Sequence, residues 1–143
     1  MQEITFLNGD KDLEKRGRKH LESRLSDLKL FMKAEDLEDV EDLGSFYDYG
    51  LCEDYRVDEK SGEVYFYFQL SYGGPSDEIR IRRKEYSNNF LVEYVFLDWF
   101  EGVGFDVTDS EEIQWLVDWF KECDYLSMER FHSAFEELAE EEV

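Results

Sequence analysis

The sequence predicts an α+β fold: an antiparallel four-stranded meander sheet packed with an N-terminal helix and two C-terminal helices. Apolar residues recur at helical spacing early in the chain and again near its end, and between these regions they alternate at strand spacing. The chain has 143 residues, of which 42% are hydrophobic and 17% aromatic, enough to build a core despite the high charge. We therefore expect a single domain over residues 1–143.

The first helix is predicted from Lys11 to Lys33. Asp10 follows a glycine and is a favourable N-cap, because its carboxylate can accept a hydrogen bond from the first helical turn. Apolar residues at helical spacing mark the inner face: Leu13, Leu21, Leu25, Leu28 and Met32. The next run, AEDLEDVEDLGSF, has an apolar edge, and we expect it to form a short helix that ends at Gly44.

Alternating residues in the middle of the chain predict the strands. The four strands are expected at Tyr47–Val57, Gly62–Tyr72, Asp77–Lys84 and Phe90–Phe100. Turn-forming residues separate them at 58–62, at Gly73 to Ser76 and at Tyr86 to Asn89. One face of the second strand is apolar and should belong to the core: Val64, Phe66, Phe68 and Leu70.

A dense basic patch lies in the third strand, where arginines alternate with Ile79 and Ile81. Its members are Arg80, Arg82, Arg83 and Lys84. Opposite charges on neighbouring strands stabilise a sheet, so we expect these cations to pair with carboxylates. Binding of an anion is the alternative.

After the fourth strand, Gly102 and Gly104 interrupt the strand pattern, and Phe105–Val107 is expected to add a short edge strand. A helix follows and should run to about Cys123. Its start fits a capping box in two registers, Thr108 with Glu111 or Asp109 with Glu112.

The last helix is expected to begin after Ser127, which has the side chain of an N-cap. Its inner residues should be Met128, Phe131, Phe135 and Leu138. The acidic tail, from about residue 139 to residue 143, is expected to fray.

The residues needed for catalysis do not form a recognisable pattern. His20 and His132 have no partners at metal-ligand spacing, and the glycine pair before Pro75 leads into a strand instead of a phosphate-binding helix. Cys52 and Cys123 are interpreted as free thiols in a reducing cytoplasm, with Cys123 buried. We predict no enzyme activity, no cofactor and no metal. A metal-dependent hydrolase is the weaker alternative, with a carboxylate site formed by Asp77, Glu78, Asp98 and Glu101.

The strongest functional signal is the charge. The formal net charge is −21, distributed as +2 over residues 1–33, −8 over residues 34–84 and −15 over residues 85–143. Such an excess repels nucleic acid and favours a basic protein partner. No apolar run approaches the roughly 20 residues that cross a bilayer, and no leader opens the chain, so we expect a cytoplasmic protein without membrane contact.

Two resemblances bear on function. The run QLSYGGPSDEIR, from Gln69 to Arg80, resembles a turn motif of small uncharacterised proteins of phages and other mobile elements, but no functional residues carry over with it. The small size, acidity and aromatic content resemble, in kind and not in motif, anti-restriction and anti-CRISPR proteins that act as DNA mimics. This second resemblance implies a counter-defence inhibitor in the host-cell cytoplasm.

The candidate site is a set of exposed carboxylates. B-DNA carries one charge per about 1.7 Å of its axis, and carboxylates spaced along one helix face approach that density. The candidate partner-binding residues are Glu35, Asp36, Glu38, Asp39, Glu41 and Asp42 in a first row, Glu111, Glu112, Asp118 and Glu122 in a second, and Glu129, Glu136, Glu137 and Glu140 in a third. The expected partner is a basic nucleic-acid-binding protein or nuclease complex; the oligomeric state stays open.

A different class of protein would use the same charge. An immunity protein or antitoxin neutralises a basic toxin through a concentrated hot spot of aromatic and acidic side chains. Tyr47, Asp48 and Tyr49 are the candidates for such a hot spot.

Overall fold

The computed structural model describes residues 4–6, 10–84 and 89–141, and for residues 4–6 it describes the backbone alone. In chain order the elements are β1 Ile4–Phe6, α1 Lys11–Lys33, a 3₁₀ helix Phe46–Asp48, β2 Cys52–Val57, β3 Val64–Ser71, β4 Ser76–Arg83, β5 Phe90–Asp98, β6 Glu101–Asp106, α2 Glu111–Glu122 and α3 Met128–Glu141. Among the described residues, no helix combines the length and the apolar character needed to span a bilayer.

The strands form one antiparallel sheet in the order β1-β6-β5-β4-β3-β2. Strands β2 to β6 are a five-stranded meander, and β1 pairs with β6 at the edge. The α+β class, the antiparallel meander and the three helices are confirmed, but the predicted number of four strands is wrong. Strand β6 was predicted only at its end, as a short edge strand at Phe105–Val107. It pairs with β5 from Glu101 to Asp106 and with β1 on its other side, so it is not an edge strand, and it includes the two glycines that were interpreted as breaks.

The three helices cover one face of the sheet. Helix α1 packs against β5, β6 and α2, and α3 packs against β2 and β3. Phe120 of α2 lies with its ring 4.9 Å from the ring of Phe66 and 5.1 Å from that of Phe68. The predicted core face of β3 is confirmed for Phe66, Phe68 and Leu70, whereas Val64 is half-buried.

The acidic run after α1 is not a helix, contrary to the prediction. Ala34 is extended, with φ −73° and ψ 142°, and Asp42 has a left-handed φ of 68°. A tight turn follows, in which the N–H and C=O groups of Val40 and Gly44 pair at 2.8 Å. Asp36 accepts a hydrogen bond from the N–H of Glu38, a local bond that competes with helix formation. The chain then forms the 3₁₀ helix, so β2 begins only at Cys52.

The helix caps follow the prediction at two starts and depart from it at the third. The N–H of Leu13 donates to Asp10 at 3.0 Å, and the N–H of Arg130 donates to Ser127 at 3.2 Å, so both expected caps are confirmed. Neither predicted capping box forms in α2, whose N-cap is Ser110. The hydroxyl of Thr108 instead accepts the N–H of Val92 at 2.9 Å, which ties the chain to β5.

Two predicted segments reach the limits of the described residues. The turn at Tyr86 to Asn89 lies outside them except for Asn89. The tail that was expected to fray is helical through Glu141, and residues 142 and 143 lie outside the described part.

Candidate functional site

The buried carboxylate Asp77 holds α1 to the sheet. It is 2% exposed, and Arg24 donates to both of its oxygens, at 2.8 and 3.0 Å. The hydroxyl of Tyr94 donates at 2.7 Å, and that of Ser71 donates as well. Burial alone would raise the pKa of Asp77, but these donors favour the ionised carboxylate and lower the pKa. Asp77 is therefore fully engaged in the fold.

Tyr49, one of the three candidates for an immunity-type hot spot, is hydrogen-bonded within the same network. Its hydroxyl accepts from Arg24 at 3.1 Å and donates to Asp27 at 2.7 Å. Burial, together with the hydrogen bond to Asp27, raises the pKa of Tyr49. Tyr49 is thus a structural residue, whereas Tyr47 remains 60% exposed.

On the face of the sheet without helices, arginines surround a second buried carboxylate. Glu78 is 2% exposed; Arg56 donates to both of its oxygens at 3.0 Å and Arg80 donates at 2.8 Å. Arg82 pairs with Asp58 at 3.1 Å. Arg80 and Arg82 do pair with carboxylates, but not across neighbouring strands as expected, because Glu78 lies on β4 itself and Asp58 follows β2.

Arg83 of the basic patch contacts a backbone carbonyl and an aromatic ring. It donates to the backbone carbonyl of Leu126 at 2.6 Å, and its guanidinium lies 5.3 Å from the centre of the Phe90 ring. Arg83 therefore ties the end of β4 to the segment between α2 and α3.

The fourteen candidate carboxylates contrast with these buried ones. Thirteen are exposed and Glu112 is half-buried. Within the described residues, two of them have a close side-chain partner: Asp118 pairs with Lys121 at 3.8 Å, and Glu136 lies 3.1 Å from the imidazole of His132. The carboxylates that the fold does not use are thus presented to solvent.

The first and second rows are brought together by aromatic packing. The ring of Phe46 lies 5.2 Å from the rings of both Trp115 and Trp119 of α2. Tyr47 lies 5.8 Å from Trp119. These contacts place the acidic loop, residues 35–42, beside α2. We call the combined region the acidic-aromatic surface; it comprises Glu35, Asp36, Glu38, Asp39, Glu41, Asp42, Tyr47, Glu111, Trp115, Asp118, Trp119 and Glu122.

Within α2, the acidic residues and one tryptophan share a face. Glu111, Trp115, Asp118 and Glu122 follow the spacing i, i+4, i+7 and i+11, which lies along one side of a helix. Glu112 lies off this line, and the hydrogen bonds at the helix start, together with Lys29 and Lys33 of α1, lower its pKa. The hydroxyl of Ser110 donates to Glu112 at 2.8 Å, so Glu112 is held at the start of α2 and is not included in the acidic-aromatic surface.

The third row lies apart as well. Glu129, Glu136 and Glu140 form a line on α3, with Glu137 beside it, and α3 packs on β2 and β3. No hydrogen bond, ion pair or ring contact joins this row to the acidic loop or to α2 in the part of the chain that the structure describes. The structure therefore brings together the first row and three members of the second, Glu111, Asp118 and Glu122, and leaves the third row separate.

Sequence reasoning missed both tryptophans of the surface. The inner face of α2 was predicted from Ile113, Leu116, Val117 and Phe120, and neither tryptophan was given a role. A signal was present, because Trp115 shares the helical line of the acidic residues Glu111 and Asp118.

The weaker hydrolase alternative has no geometric support. Asp77 and Glu78 are consecutive in β4 and point to opposite faces of the sheet, and Asp98 is held by Arg16 at 2.5 Å. No group of three or more metal-ligating side chains comes together among residues 4–6, 10–84 and 89–141. The four proposed ligands therefore do not converge.

The cysteines are free thiols, as expected. Cys123 is exposed at the end of α2, so the prediction that it is buried is wrong. Partial desolvation and the nearby carboxylates of Glu122 and Glu53 raise the pKa of its thiol. A raised pKa keeps the thiol protonated and therefore a poor nucleophile.

Comparison of the chain with protein-family models, curated proteins and solved structures found no match. The class of the protein is therefore defined by its own structure. It is an α+β protein whose antiparallel sheet carries helices on one face and whose acidic loop and second helix form one exposed surface.

Proposed function

We propose that this protein binds a basic nucleic-acid-handling protein through the acidic-aromatic surface and blocks it as a DNA mimic. The proposed setting is counter-defence by a phage or other mobile element against a CRISPR or restriction complex in the host cytoplasm. One observation carries the proposal: the carboxylates that pair with arginines are distinct from the exposed carboxylates of the acidic loop. Arginines are bound to carboxylates of the fold in the pairs Arg16–Asp98, Arg24–Asp77, Arg56–Glu78, Arg80–Glu78 and Arg82–Asp58, while the acidic loop is exposed.

The acidic loop supports mimicry because it is fixed in place. Leu37 and Leu43 pack against the core, Val40 belongs to it, and the pairing of Val40 with Gly44 closes the turn. Six carboxylates between residues 35 and 42 are thereby held on a short rigid segment. A preorganised row of negative charge loses little entropy on binding and attracts a basic groove at long range.

The aromatic members of the surface add an anchor to this attraction. Tyr47 is exposed and Trp115 and Trp119 are half-buried, with their two indoles stacked 6.4 Å apart. Tyrosine and tryptophan are the residue types that most often contribute large binding energies at protein interfaces. Charge would therefore bring the partner to the surface, and the rings would hold it.

The aromatic cluster also favours a second candidate function, an immunity protein or antitoxin against a basic toxin. Tyr47 contacts Trp119, and the exposed Asp48 follows it directly. This grouping fits a compact hot spot as well as it fits the centre of a mimic surface. The two functions differ in how binding responds to salt and to single substitutions.

The test uses two variants that remove the same charge from different surfaces. The loop variant carries Glu38→Gln, Asp39→Asn and Glu41→Gln, and the control variant carries Glu129→Gln, Glu136→Gln and Glu140→Gln. Each protein is added to a panel of purified restriction enzymes and RNA-guided nuclease complexes, and DNA cleavage is measured. We expect inhibition by the native chain, at least about tenfold weaker inhibition by the loop variant, and little change with the control.

Three results would contradict the proposal. Equal weakening by both variants would assign the effect to total charge, and full inhibition by the loop variant would remove the acidic loop from the interface. Absence of inhibition throughout the panel would reject counter-defence. Strong binding to one basic toxin that persists in high salt and is lost with Tyr47→Ala alone would favour the immunity function.

A further inference from the structure

One end of the sheet carries four exposed apolar side chains, which we call the hairpin-tip patch. Tyr72 lies in the turn between β3 and β4 and is 83% exposed, while Trp99 and Phe100 form the turn between β5 and β6 and are 86% and 91% exposed. The two turns are neighbours, because a Cβ atom on Gly74 would lie 3.8 Å from the Trp99 indole. Leu51 is 61% exposed and lies at the same end of the sheet, where its N–H donates to Gln69 of β3 just before β2 begins.

Trp99 adopts a backbone conformation that its side chain disfavours. Its φ is 58°, in the left-handed region where glycine, asparagine and aspartate are usual and a bulky aromatic residue is an outlier. A glycine would form this two-residue turn more readily, and the indole contributes little to the core because it is exposed. A bulky aromatic residue that has an unfavourable backbone conformation and is also exposed indicates a role other than stabilising the fold.

The charges around the patch indicate what covers it. Glu101 closes the same turn, Glu53 and Asp48 flank Leu51, and all three are exposed. Arg16, the base that reaches this turn, is bound to Asp98. An acidic rim on a chain of net charge −21 repels nucleic acid and anionic lipid and suits a pocket bordered by lysine or arginine.

The size and position of the patch connect it to the acidic-aromatic surface. Three aromatic side chains offer roughly 450–750 Å², less than the roughly 800 Å² that each partner contributes to an ordinary interface. A second copy held by this patch alone would therefore bury too little area, and it would bring two strongly negative chains together. Tyr47 of the acidic-aromatic surface and Leu51 of the patch lie on the same segment of chain, with three residues between them, so one partner can reach both.

We infer that the hairpin-tip patch is a second contact with the basic partner, in which Trp99 and Phe100 enter an apolar pocket bordered by cationic side chains. This inference rests on the proposed function. The acidic-aromatic surface attracts and aligns the partner, and the tip supplies apolar contact that salt does not screen.

A photo-crosslinking experiment tests the inference and the function separately. The photoreactive residue p-benzoylphenylalanine replaces Trp99, Asp118 or, as a control, Leu91, which lies on the face of the sheet without helices. Each full-length chain is irradiated with every complex of the purified panel. We expect positions 99 and 118 to form an adduct with the same protein, and position 91 to form none.

The outcomes are distinct. An adduct from position 118 without one from position 99 overturns this inference and leaves the proposed function standing. No adduct from either position overturns both. An adduct between two copies of the chain through position 99 also overturns the inference, because it assigns the patch to self-association.

A substitution provides an independent measurement. Trp99→Gly suits the left-handed backbone, so the unfolding midpoint in urea should not fall, while the affinity for the inhibited complex should fall at least about tenfold. Leu91→Ser is the matched control and should leave affinity unchanged. Native affinity in the Trp99→Gly variant would overturn the inference.

Discussion

Asp77 illustrates how single residues decide which charges remain for binding. It receives four hydrogen bonds from Arg24, Tyr94 and Ser71, which link α1 to three strands. A buried ion pair contributes little when it is compared with apolar packing, but removal of one partner leaves the other charge without compensation. Asp77 and its donors are therefore part of the fold and unavailable to a ligand.

The first prediction concerns this network. Asp77→Asn removes the charge that compensates Arg24, and we expect the free energy of unfolding to fall by about 3–5 kcal/mol, measured by urea denaturation at pH 7. Asp12→Asn is the matched control, because Asp12 makes an exposed pair with Arg16 at 3.4 Å and should change stability by less than about 1 kcal/mol. Equal effects of the two substitutions would contradict this account of the network.

The pKa of Asp77 gives this network a pH dependence. Its pKa is lowered in the folded chain, so the unfolded chain binds the proton more readily. The stability that the ionised carboxylate contributes is present above its ordinary pKa of 3.8 and is lost as the pH falls through the lowered value. In Asp77→Asn, this part of the acid dependence should disappear.

The pKa of Glu93 is shifted in the opposite direction to that of Asp77. Burial raises its pKa above the ordinary value of 4.5, against the attraction of Arg80 and Arg82. The folded chain therefore holds this proton more tightly than the unfolded chain, and the free energy of unfolding falls as the pH rises through the raised pKa. Below pH 4.5 that penalty is absent.

The second prediction follows from this direction. Glu93→Gln should raise the free energy of unfolding at pH 7, and the gain should vanish as the pH is lowered below the ordinary pKa. Urea denaturation at several pH values measures both effects. A destabilised variant at pH 7 would show that the ion pairing of Glu93 with Arg80 and Arg82 outweighs its burial.

At the scale of elements, features that depend on nearby residues alone were predicted correctly. Helix α1 was predicted at its observed bounds because the N-cap residue marks its start, and the apolar residues at helical spacing continue to its end. The acidic run was predicted wrongly as a helix because Leu37, Val40 and Leu43 lie at i, i+3 and i+6, a spacing that a core-facing turn also satisfies. Side chains that bond to the nearby backbone and closely spaced like charges favour the turn.

Only the end of strand β6 was predicted, at Phe105–Val107, and the reason lies outside the sequence of the strand. Gly102 and Gly104 weaken a strand locally, but a Cβ on Gly104 would lie 2.7 Å from the carboxylate of Glu93 on β5. Gly104 therefore leaves room for the end of the Glu93 side chain on the neighbouring strand. No local pattern contains that information.

The third prediction concerns a close approach of α1 to the sheet. Gly17→Ala would normally favour a helix, but the added Cβ would lie 2.8 Å from Val103 and 3.1 Å from Phe105, both buried. We expect a loss of about 1–3 kcal/mol in the free energy of unfolding. Ser26→Ala, at an exposed position of the same helix, is the control and should be neutral or slightly stabilising. Stabilisation by Gly17→Ala would show that this contact is looser than described.

At the scale of the molecule, the structure shows which acidic residues lie close together, whereas the sequence gives only their number and order. The sequence predicted an acidic binding surface from net charge, but it did not show that the loop and α2 adjoin. That arrangement depends on Phe46, which contacts Trp115 and Trp119 across a long sequence separation. The third row shares the composition of the others and lies elsewhere, since α3 is placed by its packing on β2 and β3.

The central claim is that the acidic-aromatic surface occupies a groove built for DNA. Its most direct test is the affinity of the native chain for a complex that it inhibits, measured over a range of salt concentrations with and without competing duplex DNA. We predict at least about tenfold weaker binding between roughly 50 and 200 mM salt, and displacement by the duplex. Affinity that is independent of salt, with DNA and the protein bound at the same time, would contradict the claim.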